Sequence, residues 1–136
     1  MMAFNLKPLG LVFVGIVVGV FSVQALHAQG QVDRVELHKG DLTGTSGTEV
    51  IMATLELQPG ATVPRHFHNG DEFLYVLEGG SFQAPGQDPA AFTAGVALQF
   101  PREAPHGGFT VVGDKNLKVL TVHVVDKGKP LVELVK

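Results

Sequence analysis

Three histidines and a glutamate in this chain have the types and spacing of ligands for a single metal ion. His66 and His68 stand at i and i+2 in Gly60-Ala61-Thr62-Val63-Pro64-Arg65-His66-Phe67-His68-Asn69-Gly70-Asp71-Glu72, and a second block, Gly95 to His106, supplies a third imidazole. Side chains on a β-strand alternate faces, so His66 and His68 point the same way. Asn69-Gly70 signals a tight turn, because both residues tolerate positive φ, and a reversal there brings Glu72 back beside the two histidines. His106 then completes a set of three imidazoles and one carboxylate. Such a set suits one divalent transition metal, with manganese, iron, nickel, cobalt, copper and zinc all open, and a six-coordinate ion keeps positions for water, dioxygen or a chelating substrate. A lone histidine reads more simply as a hydrogen-bonded barrel or surface residue; it is the spaced set that favours ligation.

The elements that must position these residues are short and β-rich. Apolar and β-branched runs occur at Val32 to His38, Val50 to Gln58, Thr62 to His68, Glu72 to Leu77, Ser81 to Ala84, Ala91 to Thr93, Val96 to Phe100, Gly107 to Val112 and Leu117 to Val125. Turn residues punctuate them at Gly44-Thr45-Ser46-Gly47, Pro59-Gly60, Gly79-Gly80, Pro85-Gly86-Gln87-Asp88-Pro89 and Gly113-Asp114-Lys115-Asn116. No stretch has convincing 3.6-residue periodicity, so the chain is all-β, and this many short strands imply a closed barrel or a double-sheet jelly roll. The tail from Asp126 to Lys136 reads as an exit loop and an edge segment available to a second subunit.

At 136 residues and 45% apolar, with 17% charged, the chain is one globular domain by length. Lys7 precedes an apolar run from Leu9 to Val23, with small residues around Ala25 and Ala28, so residues 1–28 read as an export signal and 29–136 as the domain. An uncleaved anchor is the alternative, because a run of roughly 18 apolar residues can span a bilayer. The expected location is periplasmic or secreted, or inner-membrane anchored facing the periplasm; the only membrane contact is through that segment. Removing Lys7 leaves nine basic against thirteen acidic side chains, and no basic cluster remains, which argues against nucleic acid. Cysteine is absent, which excludes disulfides, thiolate ligands and thiol nucleophiles. No phosphate loop, nucleophile elbow or further carboxylate pair is present.

The first block, Gly60, five residues, His66, one residue, His68, three residues, Glu72, six residues, Gly79, resembles the first motif of the cupin superfamily at every position. This chain's own composition makes the pattern a chance event on the order of one in several thousand over the whole length, so the match carries weight. The second block resembles the second cupin motif through Gly95, Pro101 and His106; Glu103 stands where the family usually has glycine, and Thr110 where it often has asparagine. Glu103 therefore puts the turn before His106 in question and is a candidate extra carboxylate at the mouth. The resemblance, closest to small exported bacterial members, implies a cupin double-stranded β-helix (jelly-roll) barrel after the N-terminal signal or anchor helix. It also implies the ion inside the barrel on His66, His68, Glu72 and His106, and frequently a homodimer.

Metal-dependent chemistry on a small organic substrate follows as the first functional expectation, with dioxygenase favoured by resemblance to the family over isomerase or decarboxylase. Glu72 is a candidate base. A non-catalytic periplasmic module for metal or small-ligand binding and sensing is the alternative. His123, on the strand face shared with Val119, Thr121 and Val125, is either a pocket residue or a buried histidine satisfied by backbone. Arg65 and Arg102 are candidates to meet an anionic substrate at the opening, or simple solvated charges. Tyr75, with Phe73 and Leu77, points away from the Glu72 face, and the phenylalanines at 67, 82, 92, 100 and 109 are expected core or pocket wall. His27 and His38 carry no supporting pattern.

Overall fold

The computed structural model describes residues 30–136; the signal or anchor expected over 1–28, and His27 with it, lie outside the described residues. No helix among the described residues is long and apolar enough to cross a membrane. Eleven strands follow one another among the described residues: β1 (Val32–Asp41), β2 (Thr48–Leu57), β3 (Thr62–Val63), β4 (His66–Phe67), β5 (Gly70–Glu78), β6 (Gly80–Gln83), β7 (Ala90–Phe92), β8 (Ala97–Phe100), β9 (Phe109–Val112), β10 (Leu117–Asp126) and β11 (Glu133–Leu134). All pair antiparallel, in a five-stranded sheet of order β1-β2-β10-β5-β8, a four-stranded sheet of order β3-β9-β6-β7, and the small pair β11-β4. This is the all-β jelly-roll arrangement expected from the strand spacing.

Burial alternates strictly along β10 and along the first half of β2, the period-2 signature of strands with one face on a core. That core lies between the two larger sheets. Leu57, Val76, Leu117 and Val119 come from the five-stranded sheet and Val111 from the four-stranded one, with Ala61 between them and Leu55, Val63, Leu74, Phe92 and Phe109 packed around. Phe82, Phe92 and Phe109 stack into one aromatic group, the first two with ring centroids 4.3 Å apart.

Two features depart from the sequence-based expectation. The run Thr62 to His68 is two short strands rather than one, broken at Pro64, which has no N–H to give a ladder. The turn at Asn69-Gly70 uses no positive φ. Gly70 is required for another reason: a Cβ there would sit 2.1 Å from the Val124 carbonyl oxygen, so only a bare α-carbon lets β5 approach β10. The C-terminal tail forms an exit loop and a short edge strand, β11. It returns to its own barrel, where Glu133 and Leu134 pair with Phe67 and His66.

Candidate metal centre

His66 sits in β4, backbone-bridged to His106, each donating its amide to the other's carbonyl at 2.9 and 2.8 Å. His68 follows two residues later on the same side. Glu72 enters from β5, in an interior row that runs Ile51, His123, Glu72, Phe100 across four neighbouring strands. His66, His68, Glu72 and His106 each offer a ligand atom, all within 4.8 Å of one another. That spread is close to the roughly 4.2 Å between opposite ligands of an ion with bonds of about 2.1 Å.

The outer nitrogens decide the chemistry of the inner ones. Nδ1 of His66 donates to the Pro64 carbonyl at 2.7 Å, Nδ1 of His68 to the Leu131 carbonyl at 2.5 Å, and Nδ1 of His106 to the Ala104 carbonyl at 3.0 Å. A carbonyl oxygen only accepts, so each Nδ1 carries a proton and each ring, in its neutral form, turns an Nε2 lone pair inward. Yet Nε2 of His68 and of His106 lie 3.0 and 2.9 Å from the same Glu72 oxygen, Oε2. Lone pairs do not face a carboxylate at that distance without a cation between them, either a proton on the ring or a metal ion. The donor set therefore fits a divalent metal, and these four residues could hold one.

The electrostatics agree. Burial pushes the Glu72 carboxyl up, but the hydrogen bonds from His106 and His68 outweigh it and hold the group well below the usual carboxylate range. Burial lowers His66, while for His106 the bonds to Glu72 and Ala104 overcome burial and raise it. Phe100 stacks on His106 with centroids 4.2 Å apart and rings 10° from parallel, fixing the imidazole plane.

His123 is on the cavity wall, 4% exposed, with Nε2 3.6 Å from Glu72 Oε1 and its ring edge-on to His68. Its Nδ1 is buried without a hydrogen-bond partner among the described residues, so their backbone does not satisfy it. Burial is the main cause that lowers its pKa to about 4, leaving it neutral near pH 7.

Two other candidates fall outside. Arg102 does not line the cavity; its guanidinium forms a two-pronged pair with Asp126 at 2.7 and 2.9 Å, and its amide donates to Asp71. Glu103 is exposed and absent from the cavity wall, so it is no mouth carboxylate. It adopts φ +59°, the left-handed region that favours glycine, with its amide on the His68 carbonyl at 3.0 Å. The turn forms all the same, under backbone strain. Arg65 is exposed as well, and Tyr75 faces outward at 46% exposure.

Above the cluster lies a cavity of about 260 Å³, walled largely by apolar side chains including Leu55, Phe92, Phe100, Phe109 and Val119. Two contributors were not foreseen from the sequence. Arg34 reaches the cavity from β1, and Leu131 and Val132 reach it from the tail. β1 is exposed along nearly its whole length, with Val35 and Leu37 at 56% and 52%, so its apolar positions do not mark the face that reaches the cavity. For Leu131 the sequence held no signal, because its carbonyl is the functional group.

A small antiparallel β-barrel with three histidines and a glutamate gathered at the floor of an apolar cavity is the architecture of a metal-binding barrel protein. The family model described as a cupin domain matches residues 53–123, a little over half the chain, and the chain belongs to the cupin family. It is 33% identical over 76 residues to a dimethylsulfoniopropionate lyase, DddW, of Ruegeria pomeroyi, a stretch covering 56% of this chain and 49% of the lyase. The chain thus spans about half the length of that curated relative. Among solved structures it resembles the polyketide cyclase RemF of Streptomyces resistomycificus, with a TM-score of 0.57 and 24% identity over 79% of this chain and 74% of that one. It also resembles the dimethylsulfoniopropionate lyase DddQ of Ruegeria pomeroyi, with a TM-score of 0.54 and 18% identity over 76% of this chain and 51% of that one. At these identities the structural likenesses establish the fold.

Proposed function

We propose that this chain is a divalent-metal-dependent enzyme that transforms a small organic substrate inside the barrel cavity. The observation that carries this reading is the common tautomer of His66, His68 and His106, whose Nδ1 protons are all tied to backbone carbonyls so that their Nε2 atoms converge with Glu72 beneath an apolar cavity. A divalent ion held there supplies Lewis acidity to a substrate oxygen. The chain's own residues supply the rest: the phenylalanine wall excludes water, and His123, neutral near pH 7 and without a partner for Nδ1, is placed to accept a proton. Glu72 is a second candidate base.

Lyase-type chemistry is favoured by the likeness to a relative named as a lyase and by a neutral imidazole on the cavity wall. Dioxygenase chemistry is the second reading, favoured by a donor set of three imidazoles and a carboxylate that suits iron and manganese. Elemental analysis of the purified chain, His66→Ala and His106→Ala comes first, and near-stoichiometric metal lost in both variants is expected. Chain loaded with each candidate metal is then assayed by oxygen electrode against catechols, diketones and flavonoids, and by proton NMR against dimethylsulfoniopropionate. Metal without turnover on any substrate would leave the binding-module alternative, and no metal at all would overturn both.

The chain is further proposed to act outside the cytoplasm, on the strength of Lys7 and the apolar run Leu9 to Val23; cell fractionation of a C-terminally tagged chain tests it. A homodimer is proposed through the outer face of the five-stranded sheet. Two rows cross that face, Val35-Thr54-Leu120-Tyr75 and His38-Met52-Val122-Phe73, and Val35, Tyr75 and Phe73 are 56%, 46% and 43% exposed.

A further inference from the structure

The interior row four residues along the strands from that of Glu72 and His123 runs Arg34, Leu55, Val119, Val76 across β1, β2, β10 and β5. Val119 and Val76 in that row are 4% and 0% exposed, so a guanidinium stands in line with core side chains. Arg34 is the one lysine or arginine on the cavity wall among the described residues. Its five N–H donors are almost unused. The nearest carboxylate is Glu36, at 3.7 Å, too long for a hydrogen bond, and no side-chain hydrogen bond of Arg34 occurs among the described residues. Its side chain is 35% exposed, so it is partly withdrawn from water, where a planar two-pronged bond to a carboxylate is stronger than at an open surface. The cavity's other charged group, Glu72, is engaged with His68 and His106.

We propose that Arg34 makes this cavity a receptor for small organic acids, binding the substrate's carboxylate at the β1 wall. The carbon skeleton then lies along the apolar wall, and the reacting end reaches the histidine and glutamate cluster. This rests on the reading of the cavity as a substrate site and adds the class of substrate and the residue that selects it. A purely structural role is the competing account, because β1 is an edge strand and an inward-pointing charge guards such an edge against pairing with another chain.

The test compares propionate and butyrate with propionamide and butyramide, titrated by calorimetry and ligand-observed NMR into the full chain, both metal-free and zinc-loaded. The acids are expected to bind at least tenfold tighter than the amides in both forms. Arg34→Met removes the difference, Arg34→Lys keeps part of it, and Glu36→Gln, which takes away the competing carboxylate, tightens acid binding two- to threefold. Amides that bind as well as acids, a preference that survives Arg34→Met, or acid binding that requires the zinc would each overturn the proposal, the last because the carboxylate then sits on the ion. Should Arg34→Met not fold, the responses of Arg34→Lys and Glu36→Gln decide alone, and no change in either overturns it. Failure of the chain to take up metal or to turn over would sink the enzyme reading while leaving the metal-free acid preference intact.

Discussion

The carbonyl oxygen of Leu131 accepts the Nδ1 proton of His68, 63 positions earlier in the chain, at 2.5 Å. Around it Asn69 donates to the Pro130 carbonyl at 3.3 Å, and the Val135 amide donates to the Arg65 carbonyl at 3.1 Å. The last six residues therefore orient a metal ligand. Truncation after Pro130 is expected to weaken metal binding 10- to 100-fold, the usual cost of losing a ligand's outer hydrogen bond. Competition with a chromophoric chelator measures it; unchanged affinity would show that the tail only covers the barrel.

Gly107, immediately after the ligand His106, has φ +75°, and a Cβ there would lie 2.6 Å from the Pro64 carbonyl oxygen and 3.1 Å from Nδ1 of His66. Gly107→Ala should displace the carbonyl that fixes the His66 tautomer. The expected result is weaker metal binding together with a stability loss of about 1–3 kcal/mol from the strained backbone. Urea unfolding and the same chelator competition read the two effects separately.

His123 is neutral in the folded barrel, with a pKa lowered to about 4 chiefly by burial, whereas an unfolded histidine titrates near 6.5. Between those values the unfolded chain binds the extra proton. Stability is thus fully present above about pH 6.5 and falls as the pH drops toward 4, by up to about 3 kcal/mol. His123→Phe should flatten the urea midpoint of the metal-free chain over that window. An equally steep profile in the variant would shift the cause elsewhere.

Glu103→Gly relieves a left-handed residue that has a Cβ. Relief of about 1–2 kcal/mol, less the extra backbone entropy of glycine in the unfolded chain, predicts a net gain of about 0.5–1 kcal/mol. Chemical denaturation checks it, and since Glu103 lies off the cavity wall, metal affinity should stay constant.

Phe73→Glu and Tyr75→Lys place charges on the exposed outer rows of β5. If that face joins two copies, light scattering coupled to size exclusion should show a dimer for the natural chain and folded monomers for both variants, whose melting temperature no longer rises with protein concentration. A monomeric natural chain would refute the interface.

Much of the site is legible in the sequence, because strand alternation, motif spacing and turn residues are local properties. The i, i+2 histidines, the inward parity of Glu72 and the outward parity of Tyr75 need only a strand period of two. What misleads is equally physical. Val35 and Leu37 are apolar yet lie outside, so apolar residue type does not mark the cavity-facing positions of β1, and Arg34 carries no local signal. Arg102 sits next to the second ligand block in sequence, but Asp126, on a strand reached only by folding, takes its charge.

The sequence by itself determined an all-β chain, its turns, and four residues able to meet at one ion, since each follows from residue type and period. Only the tertiary structure decided which backbone carbonyls fix the three imidazole tautomers, that the C-terminal tail closes over His68, and that Arg34 shares the cavity. Those are relations between groups that lie on different strands, set by sheet order and register, and no local pattern encodes them.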